Sequence, residues 1–545
     1  MNIQYKKITL IPLAILLFFG CTKKLDQTPQ TDLSDANFWN NTNDMKLACN
    51  YLYTQLPAID THTEDVMSAD AFGLSANTVS DGAWLPPSTA DSWTNDYSLI
   101  RACNNILEKS GKVVGDANII NQYLGETRFF RAWAYFDLVK RYGDVPFVNR
   151  TLQLTDNLLY GAKTNREVIL DSVYADLDFA AAHLPASNAQ ASEDYGRITS
   201  TAALAFTSRV ALFEGTRMKF FSQTGYQAHL QKAITASDAI MAAGGNSLFS
   251  YAPVPDSSYY YLFQYTGEGQ ANRENILVRI YGQNQINDIS SNNYTRAVLD
   301  EGLLMPTSNF TSSYLYTDGL PASKSPYHKT QTNTYTEFEN RDPRMAMTIF
   351  NIKSWYVTGL YVPTFDYSLT GYRSCKYYIA ADWTVNVSYI DNIIIRYAEV
   401  LLNNIEARLE LNGSVTDNEL NGTLNLIRAR ATMPPLTNGF VLSNGLDMRT
   451  EIRRERRVEL AFEGFRYWDL LRWKTAETEL PQAITGVRYF PAEQGQLDNP
   501  QLTTDSLIIV EGATKRHFKP DRDYLWPIPT QELGLNKNLT PNPNW

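Results

Sequence analysis

Cys21 is the residue whose neighbours most clearly define a reaction. Lys6 and Lys7 form a short positive segment, and Ile8 to Phe19 is an apolar run broken by Thr9 and Pro12. Gly20 then places a small residue directly before the thiol. That order is a secretory signal with a cysteine at its cleavage site, too short to remain as a membrane-spanning helix. Other chemistry is hard to find. The five histidines (His62, His183, His229, His328 and His517) are scattered, with neither an HExxH motif nor metal-ligand spacing. There is no GxSxG nucleophile elbow and no phosphate-binding loop, and Gly267-Glu268-Gly269 lacks the third glycine of a dinucleotide fingerprint. A pair of glycosidase carboxylates drawn from distant segments leaves no sequence signature. The expectation is binding without turnover, with no cofactor and no metal.

Aromatic side chains offer the other chemistry. The chain has 33 Tyr, 24 Phe and 10 Trp, and Tyr and Trp join an apolar face to a polar handle. Most must be core. Those in loops, outside helical patterns, are the candidates for gripping a polar ligand: Trp84, Trp93, Tyr281, Tyr294 and Trp355. Trp84 and Trp93 lie in or beside the Gly/Ser/Pro-rich stretch Ser75 to Ser92. Tyr281 and Tyr294 flank Gly282 to Asn293, a run of Gln, Asn and Asp. Trp355 clusters with Tyr356 and Tyr361.

These loops need a scaffold, and helical periodicity supplies one in two blocks. The first block, 46–247, holds Asn118 to Arg141, Arg166 to Leu184, Thr199 to Phe213 with Thr199 or Ser200 as N-cap, and Gln227 to Ala243 before Gly244-Gly245. The second block, 389–475, holds Ile395 to Leu411, Asp417 to Ala431, Asp447 to Phe462, and a short helix through Trp468 and Leu471. Between them, 248–388 is rich in Tyr, Asn, Ser, Thr and Gly, and reads as loops with short strands. Residues 476–545 lose periodicity again and are expected to pack on the scaffold, while 21–45 form a tether. Ala132/Phe136, Ala175/Phe179 and Ala202/Phe206 place a small residue one turn before Phe, as in tetratricopeptide hairpins. Their unequal intervals predict a mainly α, irregular helical-hairpin array with a long loop-rich, ligand-binding insert.

The formal net charge of −10 argues against nucleic acid as a partner. Beyond Cys21 there are only Cys49, Cys103 and Cys375; Cys49 and Cys103 could pair in an oxidising compartment or remain buried thiols. The segment Glu451 to Glu459 looks basic, but Glu451/Arg454 and Arg456/Glu459 are i,i+3 pairs beside a stripe of Val458, Phe462 and Phe465. It reads as a salt-bridged structural helix, and Arg128 and Arg131 read the same way.

The leader and Cys21 together resemble a bacterial lipoprotein signal, in which the cysteine becomes the lipidated first residue. That resemblance implies several acyl chains at Cys21, since one alone anchors only marginally. The rest resembles the SusD/RagB family almost from end to end. The resemblance is carried by Leu25-Asp26, Phe38-Trp39, the stretch Arg128 to Pro146, Arg209 to Gly215, Arg396 to Leu402, Arg453 to Trp473, Pro527-Ile528-Pro529 and Leu539 to Trp545. It implies a tetratricopeptide-containing fold on the outer face of the outer membrane. There such a protein caps a TonB-dependent (SusC-type) transporter and delivers oligosaccharides into it without cleaving them. A peptide-binding member of the family and a glycoside hydrolase are the alternatives. Sugar rings lie flat on Trp and Tyr, which makes the five loop aromatics the expected ligand contacts.

Overall fold

The computed structural model describes residues 38–282 and 291–545. The cleavage-site Cys21 and most of the Gly282 to Asn293 loop therefore lie outside the described residues. The first block begins slightly before residue 46, with α1 (Thr42–Tyr53) closed at its start by an Asn41/Asp44 capping box. Then follow α2 (Asp91–Lys109), α3 (Ala117–Tyr142), α4 (Arg166–His183), α5 (Ser200–Phe220) and α6 (Tyr226–Ala243). From α2 onward each packs on the next in sequence, the arrangement of stacked helical hairpins. Thr199 caps α5, its side chain accepting from the Ala202 N–H at 3.1 Å. Gly244 closes α6 in the left-handed conformation. Close approach of α5 and α6 needs Gly215, because a Cβ there would stand 2.8 Å from the Leu230 side chain.

Two of the three Ala/Phe pairs behave as the hairpin pattern expects. Ala132, Phe136, Ala202 and Phe206 are buried, with Phe206 stacked on Trp133 at 4.7 Å. The α4 pair does not. Ala175 is exposed and Phe179 half-buried, under the Arg128 guanidinium at 4.2 Å and stacked on His183 at 4.0 Å. That face of α4 holds a surface cation–π contact instead of a helix.

The chain leaves the array after α6 and rejoins it at α7 (Tyr397–Asn412), which packs on both α6 and α5; α8 (Met448–Glu459) then packs on α7, and α9 (Arg466–Arg472) on α5. The helix expected from Ile395 starts later, because Ile395 and Arg396 belong to a strand. Strand β1 (Asn275–Arg279) pairs antiparallel with β4 (Asn392–Arg396) and joins the two ends of the insert. The β-branched run Ile393-Ile394-Ile395 suits that pairing. The helix expected over Asp417 to Ala431 is broken into Asp417–Asn421 and Leu424–Arg430. Within the insert, β2 (Trp355–Tyr356) and β3 (Gly359–Leu360) form a small hairpin; beyond α9, β5 (Ile484–Arg488) pairs with β6 (Leu507–Glu511). Cys49, Cys103 and Cys375 are all free and buried.

Insert and second block are riveted by buried charge. Arg344, Arg396, Arg428, Arg430 and Lys376 interlock with Asp342, Glu274, Glu455, Glu459 and Glu463, and none of these side chains is more than 5% exposed. Glu459 therefore pairs with Arg344, Arg396 and Arg430, whereas Arg456 turns to Asp469 at 2.8 Å. The expected Arg456/Glu459 pair is replaced by these tertiary contacts, while Glu451–Arg454 forms as expected at 3.2 Å. Burial alone would raise the Glu459 carboxyl, but its three guanidinium neighbours hold it well below the ordinary carboxylate range.

The C-terminal segment returns to the first block. The Asn542 amide donates to the carbonyls of Tyr142 at 2.9 Å and Trp526 at 2.7 Å, and the Trp526 N–H donates to the Arg141 carbonyl at 2.7 Å. The closing residues Leu539 to Trp545 thus act as a clasp on the end of α3.

Candidate functional site

The structure separates the five sequence-chosen aromatics. Trp93 lies on α2 in the core, edge-on to Tyr142 at 5.1 Å. Tyr281 is buried, its hydroxyl accepting from the Ile59 N–H at 3.1 Å and its own N–H donating to Asp391 at 2.9 Å. Tyr294 is buried against Tyr377, with ring centroids 6.0 Å apart. Protein covers these three rings, so they serve packing. Sequence distance from a helical stripe did not report burial, because the insert builds a core of its own around Tyr259, Phe263 and Tyr377.

Trp84 is half-buried in a second setting, edge-on to Trp526 at 4.8 Å and to Trp545 at 5.6 Å. Trp526 in turn stacks on Trp468 at 5.8 Å, and Arg522 lies over Trp545 at 4.2 Å. The loop is fixed at its root by Gly82, where a Cβ would meet the His517 carbonyl oxygen at 2.1 Å. Trp84 therefore tops a rigid aromatic stack that also holds the C-terminal clasp.

Trp355 is 61% exposed. In the β2–β3 hairpin it stands directly opposite Leu360, itself 62% exposed, so both project from one face. The two-residue turn places Val357 at φ 47, a left-handed conformation that β-branched residues rarely adopt. Its N–H is held by the Tyr378 hydroxyl at 2.6 Å. Strain of this kind survives only where its surroundings enforce it. Beneath the hairpin, Tyr356 stacks on Tyr378 and Phe350 on Tyr361, at 6.2 and 5.3 Å. Arg373 donates to the Tyr356 hydroxyl at 2.8 Å, and its guanidinium lies 5.9 Å from the Tyr367 ring. Tyr367, which sequence reasoning did not single out, is 64% exposed at φ 60. Nothing in its local sequence distinguishes it from other loop tyrosines. The same stretch walls a groove of about 480 Å³, lined by Ile352, Tyr361, Val362 and Pro363 together with Asn333, Tyr335 and Glu493. Exposed rings on a braced base, beside a groove with few polar groups, suit a ligand with apolar faces and hydroxyls.

A third feature is a cleft of about 350 Å³ among α2, α3, α5 and α9, walled by charged side chains. Its cations are committed: Arg209 grips Glu399 at 2.7 Å, Arg456 grips Asp469, and Arg472 grips Glu406 at 2.5 Å. Its acids Asp96 and Asp137 diverge. Burial and then Asp137 raise Asp96; Asp137 is held low by Arg141 and Lys140 despite its burial. These groups brace helices against one another. Among the described residues, no three His, Cys, Asp or Glu side chains gather in a way that could hold a metal ion.

A helical-hairpin scaffold that carries a loop-rich insert with exposed aromatic rings is the architecture of a ligand-binding protein. The chain belongs to the SusD family: residues 272–545 match the family model described as "SusD family", and residues 25–212 match "Starch-binding associating with outer membrane". Among curated proteins it is 24% identical to SusD-like protein P2 of Formosa agariphila, over 98% of each chain. Among solved structures it is similar to a SusD-like carbohydrate-binding protein from Bacteroides fragilis, with a TM-score of 0.77 and 27% identity, covering 92% of this chain and 100% of that one. A laminarin-binding SusD-like protein shares the fold, with a TM-score of 0.62 and 21% identity over 93% of this chain and 100% of that one. No helix among the described residues is long and apolar enough to cross a membrane.

Proposed function

We propose that the protein binds oligosaccharide or polysaccharide fragments at the cell surface and hands them to a TonB-dependent outer-membrane transporter without cleaving them. It is held on the outer membrane through acyl chains on Cys21. The observation that carries the ligand reading is the exposed pair Trp355 and Tyr367 on a braced base within the insert. Their exposed rings are what a pyranose needs for stacking, and the groove along the same stretch supplies Asn333, Tyr335 and Glu493 for hydroxyls. Membership of a family whose model description names association with the outer membrane supports the location. Trp84 is a secondary contact at most, since it is half-buried against Trp526 and Trp545.

Affinity electrophoresis against laminarin, starch, xylan and pectin tests the reading, followed by calorimetry on the retained glycan. Wild type is expected to be retarded by at least one of them, and Trp355→Ala to lose roughly thirtyfold in affinity with an unchanged melting temperature. Product analysis by mass spectrometry on the same mixtures should show intact glycan. Reproducible cleavage, or undiminished binding by a Trp355→Ala, Tyr367→Ala double variant, would refute the reading.

A further inference from the structure

The connection between α3 and α4, residues 143–165, is long for neighbouring helices, which are usually joined by about 2–8 residues. It holds one short helical turn, Asn157–Tyr160, and its ends are pinned by the Thr164 N–H on the Val145 carbonyl at 2.9 Å. The outward limb is laid along α2. Tyr97 donates to the Pro146 carbonyl, Asn104 donates to those of Val148 and Arg150, and Glu108 in the last turn accepts the Thr151 N–H at 2.7 Å. The return limb is fastened to the C-terminal segment, where the Asn538 and Asn536 amides donate to the Tyr160 and Gly161 carbonyls at 2.7 and 2.8 Å. Arg150 closes on Asp156 at 2.8 Å, and no other charged residue occurs between Arg150 and Tyr160. The loop is braced, and its charge cancels.

What it presents is apolar. Leu154 is 95% exposed, and Leu158, Leu159 and Tyr160 follow it into solvent. Val114 and Ile119 are exposed as well, just past the end of α2 that receives Thr151. Apolar side chains held in water by a fixed backbone gain free energy when an apolar phase covers them.

Two observations identify that phase. The chain enters the fold at this end of α2: the Val114 N–H donates to the Asn40 carbonyl at 3.1 Å, and Asn41 bridges to Val114. Residues 22–37 alone separate Cys21 from the described chain, so the proposed anchor lies at most ~60 Å of chain away. Composition is the second. Aliphatic side chains with a tyrosine beside them match a lipid interface, where Tyr sits at headgroup level. Protein hot spots favour Trp, Tyr and Arg, with Leu and Val under-represented.

We infer that the 151–160 loop rests in the membrane leaflet that holds the anchor, Leu154 foremost, and so fixes which end of the helical array faces lipid. The inference rests on the anchoring reading for where the membrane lies; the loop's own affinity for lipid does not.

The test places an environment-sensitive fluorophore on Leu154→Cys, with Leu442→Cys, at an 84% exposed leucine of the second block, as control. Labelling is selective because Cys49, Cys103 and Cys375 are buried. Acylated protein is reconstituted on vesicles of phosphatidylethanolamine and phosphatidylglycerol, and its acyl chains are read separately by mass spectrometry, so a missing anchor is told apart from an idle loop. Emission at 154 should shift to the blue and be quenched by doxyl-labelled lipid, while emission at 442 stays unchanged. In the Cys21→Ser background, which has no acyl chains, Leu158→Glu with Leu159→Glu should lower vesicle binding about tenfold or more at unchanged melting temperature. The inference is overturned if the 154 probe stays in water on vesicle-bound protein, or if the double glutamate variant binds vesicles as its parent does. A blue shift that appears only when the partner transporter is added would assign the loop to a protein interface and overturn it equally.

Discussion

Glu459→Gln should destabilise the protein more than any surface substitution of the same chemistry. The carboxylate accepts from Arg344 at 2.9 Å, from Arg396 at 2.6 Å and from Arg430, and its side chain is fully buried. The ten interlocked groups comprise five cations (Arg344, Arg396, Arg428, Arg430, Lys376) and five carboxylates (Asp342, Glu274, Glu455, Glu459, Glu463), so the network is neutral as built. Glutamine keeps the shape but leaves one buried positive charge uncompensated. Removing one partner of a buried pair costs about 3–5 kcal/mol. Unfolding entropy near ~2.1 cal/mol/K per residue, over about 500 folded residues, gives ~1 kcal/mol/K at the midpoint, so Tm should fall by about 3–5 °C in a cooperative transition. Differential scanning calorimetry with urea titration measures it. Asp156→Asn, which removes the partner of the exposed Arg150, is the matched control and should melt close to wild type. If the two variants melt together, buried charge does not rivet the insert to the second block.

Four other outcomes follow from the same structure. Phe129→Ala, at a fully buried position among Phe130, Trp133 and Phe206, should cost about 3–5 kcal/mol and affect glycan affinity only through unfolding, checked by parallel melts and titrations. Trp355→Ala should do the reverse, weakening glycan roughly thirtyfold at unchanged Tm. Cys21→Ser should move the protein from the membrane fraction to the soluble one, and continued membrane association at unaltered mass would defeat the anchoring proposal. Finally, burial and then the Asp391 carboxylate push Glu268 up to about 8, and burial pushes Asp391 to about 7. Both values exceed those of an unfolded chain, so folding takes up protons here; the stability they add is full below about pH 4 and is lost as pH rises through about 7–8. Melting temperature should therefore fall between pH 5 and 9 more steeply in wild type than in Glu268→Gln.

The scaffold was largely legible in the sequence because its signals are local. Thr199 caps a helix by reaching three residues ahead, and Gly413 ends one in the left-handed conformation, so both act within a single turn. Ile395 was misassigned to a helix because its apolar neighbours fit either period; only pairing with the distant β1 decides for a strand. The partners of Arg456 and Glu459 were misjudged for a related reason, since i,i+3 spacing competes with tertiary partners that sequence does not display. The site was less legible still. Tyr281 and Trp355 look alike as loop aromatics, yet one supports the Ile59 backbone from inside and the other faces solvent.

The clasp on α3 also has a meaning in time. Tyr142 and Asn542 are 400 residues apart. At roughly 5–20 residues per second of synthesis, the amide that secures the end of α3 emerges ~20–80 s after the helix itself. Helices of this length form in about a microsecond. However fast its helices form, the first block is therefore not fully closed until the last residues of the chain have been delivered. Until then the Tyr142 and Arg141 carbonyls lack the Asn542 amide and the Trp526 N–H that fasten the end of α3.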